Sequence, residues 1–233
     1  MDNSLYVKLF EYGTYVEFLI AVVLMFTIFK KHRVLQWISL TALLSFPMEW
    51  FIDNFILFMH YDEKFTPMFG HFPLFLPFAW AWFFPLVIGV LMTQEQRLRK
   101  LPPVMYYLVV FLIWVVWDFF VEAIACHFDL WVYWHPRESL IPGTKLLKSV
   151  PLAVAAWSMF MYLLCVWAKK RYESDPQVGW WRGFGALFGR YVAIAVMCLT
   201  LASIRTHVIL GYDPTPYAPQ WWIDSVRSGK LPF

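Results

Sequence analysis

The chain has 233 residues, 61% of them hydrophobic and only 15% charged, with a mean hydropathy of +0.55. Soluble domains carry about 25% charged residues, so the composition excludes an ordinary soluble enzyme and predicts a membrane protein. The formal charge of +3 comes from residues flanking apolar segments. No basic stripe with interleaved surface aromatics is present, which excludes nucleic acid as a partner.

A helix needs ~20 mainly apolar residues to cross a bilayer. Six segments qualify: Tyr12–Phe29, Val34–Met59, Phe72–Met92, Pro103–Cys126, Val150–Ala168 and Gly189–Leu210. The first is too long and too acidic, at Glu11 and Glu17, for a signal peptide, and no small-residue cleavage site follows it. The fold class expected is an all-α membrane protein: one domain over 1–233, a bundle of six or seven transmembrane helices with a weak internal repeat. Lys30, Lys31, Arg33, Arg97, Arg99, Lys100, Lys169, Lys170, Arg171 and Arg182 follow spans one, three and five. Lys8, Lys64, Arg137, Lys145, Lys148, Arg227 and Lys230 lie on the other side. The first set clusters at span ends, so the positive-inside rule places both termini outside the cytoplasm. Cys126, Cys165 and Cys198 have no metal spacing and are expected to be buried thiols without a disulfide framework.

The repeat is carried by acids. Glu49 and Asp53 in span two, and Asp118 and Glu122 in span four, are each spaced i, i+4 inside aromatic-rich apolar sequence. The first pair is followed by a loop, then Phe72-Pro73-Leu74 and Trp80; the second by a longer loop, then Val150-Pro151-Leu152 and Trp157. Repeats in membrane proteins commonly place a site at their interface. The loops His60–His71 and His127–Lys148 hold Tyr61, Phe65, Phe69, Trp131, Tyr133 and Trp134. They read either as an interfacial aromatic belt or as a lid over a lipid-filled pocket. The tail after Leu210, with Trp221-Trp222, reads as another interfacial segment.

Carboxylates in hydrocarbon are costly and usually carry function. At a rise of ~1.5 Å per residue, Glu49, Asp118 and Arg205 fall at one level, ~22–24 Å into their spans, with Asp53 and Glu122 a turn further out. Four carboxylates then meet one fixed cation, Arg205, so some are expected to hold protons, each pair acting as a unit. A protonated acid in an apolar cavity is a proton donor to a weakly basic substrate. Aromatic faces stabilise cations. The candidate catalytic residues are therefore Glu49, Asp118, Glu122 and Asp53. Trp50, Trp80, Trp114, Trp117, Phe120, Trp157, Arg205 and His207 are candidates for substrate contact. No metal and no cofactor is expected, and the partners are a hydrophobic isoprenoid or lipid-like substrate and membrane lipids.

An acid in a Trp/Phe-rich span, a Trp-Tyr loop, and Val-Pro-Leu followed by Trp (Glu122, Trp131, Tyr133, Pro151, Leu152, Trp157, with Glu49, Pro73 and Trp80 as a second copy) resembles the membrane carotenoid hydratases and small-subunit lycopene cyclases. The Phe-Pro-Met-Glu-Trp context of Glu49 also resembles the Trp-Glu signature of fungal meroterpenoid cyclases. The resemblance implies metal-free, acid-initiated cyclisation or hydration of a terpenoid, with Glu49, Asp118 and Glu122 as general acids. The Pro-x-Glu-Glu signature of the lycopene cyclases is absent, which speaks against carotenoid ring closure.

Three rival readings remain. Asp53-Asn54, Asp62-Glu63 and six histidines suggest a Mg²⁺–diphosphate prenyltransferase, but only Arg205 is inside to meet a diphosphate. A zinc or di-iron enzyme lacks clustered histidines. A proton-coupled carrier, or a lipid- or sterol-binding protein, fits buried acids and kinks expected at Pro73, Pro77 and Pro85.

Overall fold

The computed structural model describes residues 3–175 and 177–229; Lys230, counted above among the basic residues of the tail, lies outside them. The chain is 71% helical. In order come α1 (Ser4–Phe26), α2 (Arg33–Leu44), α3 (Phe46–Ile52), β1 (Met59–Tyr61), β2 (Met68–Phe69), β3 (Phe72–Pro73), α4 (Phe75–Thr93), α5 (Glu95–Leu98), α6 (Pro103–His127), β4 (Trp131–Tyr133), α7 (Val150–Ala168), α8 (Trp180–Ser203) and α9 (Gln220–Arg227). Wider-wound π turns prolong α3 over Asp53–Leu57, α7 over Lys169–Glu173 and α8 over Ile204–Ile209. Five of these helices are long and apolar enough to cross a membrane, six if the bent α2–α3 pair is one span. That agrees with a multi-pass membrane protein.

Three departures from the sequence reading have physical causes. The second span is bent by 55° between α2 and α3, because Pro47 stands in the first turn of α3 and cannot donate to the preceding turn, where its ring would also clash. The kinks expected in span three do not arise at Pro73, which lies in β3, or at Pro77 in the first turn of α4, where no N–H is needed; Pro85 alone sits inside that helix. The sixth span starts at Trp180, nine residues before Gly189.

α4 is the spine of the bundle, with 61% of its most apolar window buried against 17% for the last span. It packs on α1 and α2, while α6 packs on α7, and α8 packs on α2 and α7. α1 and α6 make no comparable contact with each other. Helices that are apolar all round yet little buried present their outer faces to lipid. The α2–α8 contact is close: a Cβ at Gly183 would stand 2.2 Å from the Trp37 ring. Trp180 Nε1 donates to Gln36 Oε1 at 2.9 Å, and the Arg33 guanidinium donates to the Val178 carbonyl at 2.9 Å.

On the opposite side, the two long connections meet. β1 pairs antiparallel with β4, setting Met59 against Tyr133, His60 against Val132 and Tyr61 against Trp131. The period-2 alternation turns Met59, Tyr61, Trp131 and Tyr133 inward. Phe58, in left-handed conformation at φ 51°, turns the chain out of the π turn into β1. The lid is latched to α1, where Glu11 accepts the Thr66 backbone N–H at 2.9 Å and an ion pair from Lys8 at 3.0 Å. The C-terminal segment then covers the lid: Trp222 packs on Phe58 and Trp134, Trp221 stacks on His71, and Tyr212 OH donates to the Trp134 carbonyl at 2.5 Å. It is thus packed as a cap on the lid.

His60 Nδ1 accepts from Trp134 Nε1 at 2.5 Å, which requires a neutral ring. Burial lowers the affinity of both His60 and His135 for a proton, against the opposing pull of Glu63 and Asp62 on His60. The unfolded chain therefore binds protons first, and the stability held above the ordinary histidine value of about 6.5 is lost as pH falls through the depressed values. Protection factors of the Gln220–Arg227 amides, corrected for the intrinsic pH dependence of exchange, are expected to fall below about pH 6.5, and equal protection on both sides of that value would contradict it. Gly183→Ala is expected to lower the melting temperature through an overpacking cost of about 1–3 kcal/mol, whereas an unchanged melting temperature would mean that α8 leaves Trp37 freely.

Candidate active site

All four acids of the repeat line one cavity of about 350 Å³. α3 and its π turn supply Glu49 and Asp53, and α6 supplies Asp118 and Glu122. The i, i+4 spacing puts each pair on one helix face. The rest of the wall comes from α1, α4, α7 and the inner face of the lid.

The acids are held almost wholly by neutral aromatic donors. Trp80 Nε1 donates to Glu49 Oε1 at 2.9 Å, and Tyr61 OH to Asp53 Oδ2 at 2.5 Å. Trp131 Nε1 and Tyr133 OH both donate to Glu122 Oε2, each at 2.8 Å. Burial pushes the Tyr61 and Tyr133 hydroxyls well above the usual tyrosine range, so both keep the proton they donate. Asp118 differs. It is 4% exposed, and its Oδ2 is buried without a hydrogen-bond partner among the described residues. A charge there would meet no donor, and burying an unpaired carboxylate is far costlier than burying the neutral acid.

Trp80 and Trp117 line this cavity, and Trp80 also lines a second one together with Trp157. The other candidates for substrate contact fall elsewhere. Trp114 is fully buried in the core against Phe83 and Phe84. Trp50 packs edge-on against Phe55 and lines neither cavity. Phe120 is 59% exposed, because one residue in each turn of α6 must face lipid. Arg205 does not meet the acids: its side chain is exposed and lines neither cavity. The earlier start of α8 carries it 25 residues along the span, ~14 Å beyond the level reckoned from Gly189. His207 Nε2 donates to the Phe55 carbonyl at 2.8 Å, and His135 Nε2 to that of Leu57 at 2.9 Å. Both satisfy carbonyls that a helix end leaves free, a structural role.

The lid donors Tyr61, Trp131 and Tyr133 were legible as loop aromatics, Trp131 and Tyr133 also as the Trp-Tyr loop of the resemblance, and what links them to the acids in space is the pairing of β1 with β4. Glu17 is a fifth acid in the cavity wall, and like the wall residues Leu9 and Trp117 it is exposed. Its signal was an acid inside an apolar span. Among the described residues no group of three or more His, Cys, Asp or Glu is arranged to hold a metal. Cys126 and Cys165 are buried as expected, but Cys198 is exposed on α8.

A double-mutant cycle of Tyr61→Phe with Asp53→Asn is expected to give a coupling of about 0.5–3 kcal/mol in unfolding free energy, and strict additivity would deny that the lid is tied to the acid. No protein-family model, curated protein or solved structure matches this chain.

Proposed function

We propose that the protein is a metal-independent membrane enzyme that cyclises or hydrates an isoprenoid by protonating an alkene or epoxide. The observation that carries the reading is Asp118 Oδ2, buried without a partner among the described residues, in a cavity whose wall is mainly aromatic and aliphatic apart from Thr14 and the acids Glu17, Glu49, Asp53 and Glu122. Both termini and the lid lie on the extracytoplasmic side, in line with the basic clusters after spans one, three and five. The wall residues Leu9 of α1 and Trp117 of α6 are exposed, which supports entry from lipid, the phase in which such a substrate dissolves.

Asp118 delivers its proton to an alkene carbon or epoxide oxygen. The resulting cation is stabilised by the faces of Trp80, Phe83 and Trp117, by about 2 kcal/mol or more per desolvated contact. An internal alkene, or water, then attacks the cation, and the proton released passes to a carboxylate. Glu122 suits that step: two donors on one oxygen make it the acid best equipped to carry charge. It lies one turn from Asp118, so the proton returns along the same helix face and the cycle closes without a cofactor. The broken second span favours a second reading, a proton-coupled carrier, which would move its substrate across liposomes unchanged.

The terminal epoxide of geranylgeraniol, incubated with protein in bilayer nanodiscs in the presence of EDTA, serves as the test substrate. Asp118→Asn is expected to cut turnover by about 10²–10⁴-fold while the melting temperature stays within a few degrees of wild type. Turnover by Asp118→Asn equal to wild type would overturn the acid reading, and loss of wild-type turnover on adding EDTA would overturn metal independence.

A further inference from the structure

A second cavity, of about 410 Å³, adjoins the first. It lies between α3, α4, α7 and α8, and the two share Glu49, Leu57, Trp80, Val150 and Val154 in their walls. The Glu49–Trp80 hydrogen bond therefore stands at the partition and faces both spaces. Glu49 is the single charged residue lining the second cavity. Its remaining wall is aliphatic and aromatic: Trp80 stacks on Phe84 at 5.2 Å, and Trp157 meets Phe160 and Tyr191 at 5.5 and 5.6 Å. Tyr191 OH is turned onto Met48 Sδ at 3.4 Å, which leaves the space with almost no hydrogen-bonding capacity for a polar ligand.

Small-molecule sites span about 300–1,000 Å³. The acid cavity alone is at the bottom of that range, too small for the reacting end and the tail of a long terpenoid together, while the two chambers in line accommodate both. A purely structural void in a packed bundle would cost stability for each ångström cubed left unfilled, so an occupant is the simpler account of a space this large. Methyl-branched, alkene-bearing chains suit aromatic walls with Met48 beside them.

Resting on the acid-site reading of the first cavity, we propose that the second cavity is the tail chamber of the same site. A linear prenyl chain lies across the Glu49–Trp80 partition with its reacting end among the acids and its tail between α7 and α8. Phe160 and Tyr191 close the chamber and set the chain length accepted. Glu49 touches the chain at mid-length, a positioning role distinct from proton delivery by Asp118.

Cys198 reports on the chamber, since its thiol lines this cavity and is exposed, while Cys126 and Cys165 are buried. Wild-type protein in nanodiscs is labelled with N-ethylmaleimide in the presence of geraniol, geranylgeraniol or oleyl alcohol. Geranylgeraniol is expected to slow labelling at Cys198 at least fivefold, and geraniol less than twofold. Equal protection by the two prenyl alcohols, or none by either, overturns the tail chamber; protection by oleyl alcohol as strong as by geranylgeraniol overturns its prenyl specificity. Ala195→Phe, which fills the chamber from α8, is expected to abolish the protection by geranylgeraniol, and full protection in a folded Ala195→Phe protein overturns the placement. Asp118→Asn should keep the protection whatever its turnover. Failure of the chamber is thus read from wild-type labelling, and failure of the acid reading from turnover alone.

Discussion

Four carboxyl groups inside an apolar bundle must each find a hydrogen-bond donor or a proton, and the arrangement around the cavity follows from that constraint. Water is scarce at this depth and Arg205 is out of reach, so the donors are indole N–H and phenol O–H groups. These neutral donors bring little charge into the bundle, and their ring bodies supply apolar wall at the same time. Trp80 meets Glu49, Tyr61 meets Asp53, and Trp131 with Tyr133 meet Glu122. Asp118 is left over. That asymmetry, among four residues that the sequence presents as two equal pairs, gives the site a direction.

The lid is part of the acid site rather than a cover placed over it. Three of the four donors stand on two short strands, and neither strand has a partner until the loops after spans two and four meet. The His135 and His207 contacts to the end of α3 and the packing of Trp222 on Phe58 hold that meeting in place. Stability of the lid with its C-terminal cap and geometry of the acid site are therefore coupled through the same few residues. The bend at Pro47 matters for a related reason: it swings α3 so that Glu49 reaches Trp80 at the partition between the two cavities.

Much of the architecture could be read directly. Five helices long and apolar enough to cross a membrane, six if the bent pair is one span, are written in apolar runs of sufficient length, and the i, i+4 acid pairs mark one face of each of two helices whatever the packing. Depth counting was less dependable. It assumed that span two was straight and that span six began at Gly189. Pro47 breaks the first assumption; the second fails because Arg182 is tolerated at the poorly buried start of α8, where a long side chain can reach past the apolar surface. The counterion role given to Arg205 fell with that count. Trp114 and Phe120 show the same limit at single-residue scale: neighbouring aromatics on one helix face the core, the cavity or the lipid according to angles of 100° per residue, which composition does not record.

By itself, the sequence determined which segments are long and apolar enough to cross a membrane and which residues would be expensive to bury, because these depend on local chemistry and on the thickness of a bilayer. The tertiary structure alone decided which donor meets which acid, that Asp118 goes without, that two cavities share one partition, and that the C-terminal segment caps the lid. Those outcomes rest on contacts between residues far apart in the chain, such as Tyr61 beside Trp131 and Glu49 beside Trp80, and nothing in the local pattern of either partner specifies the other.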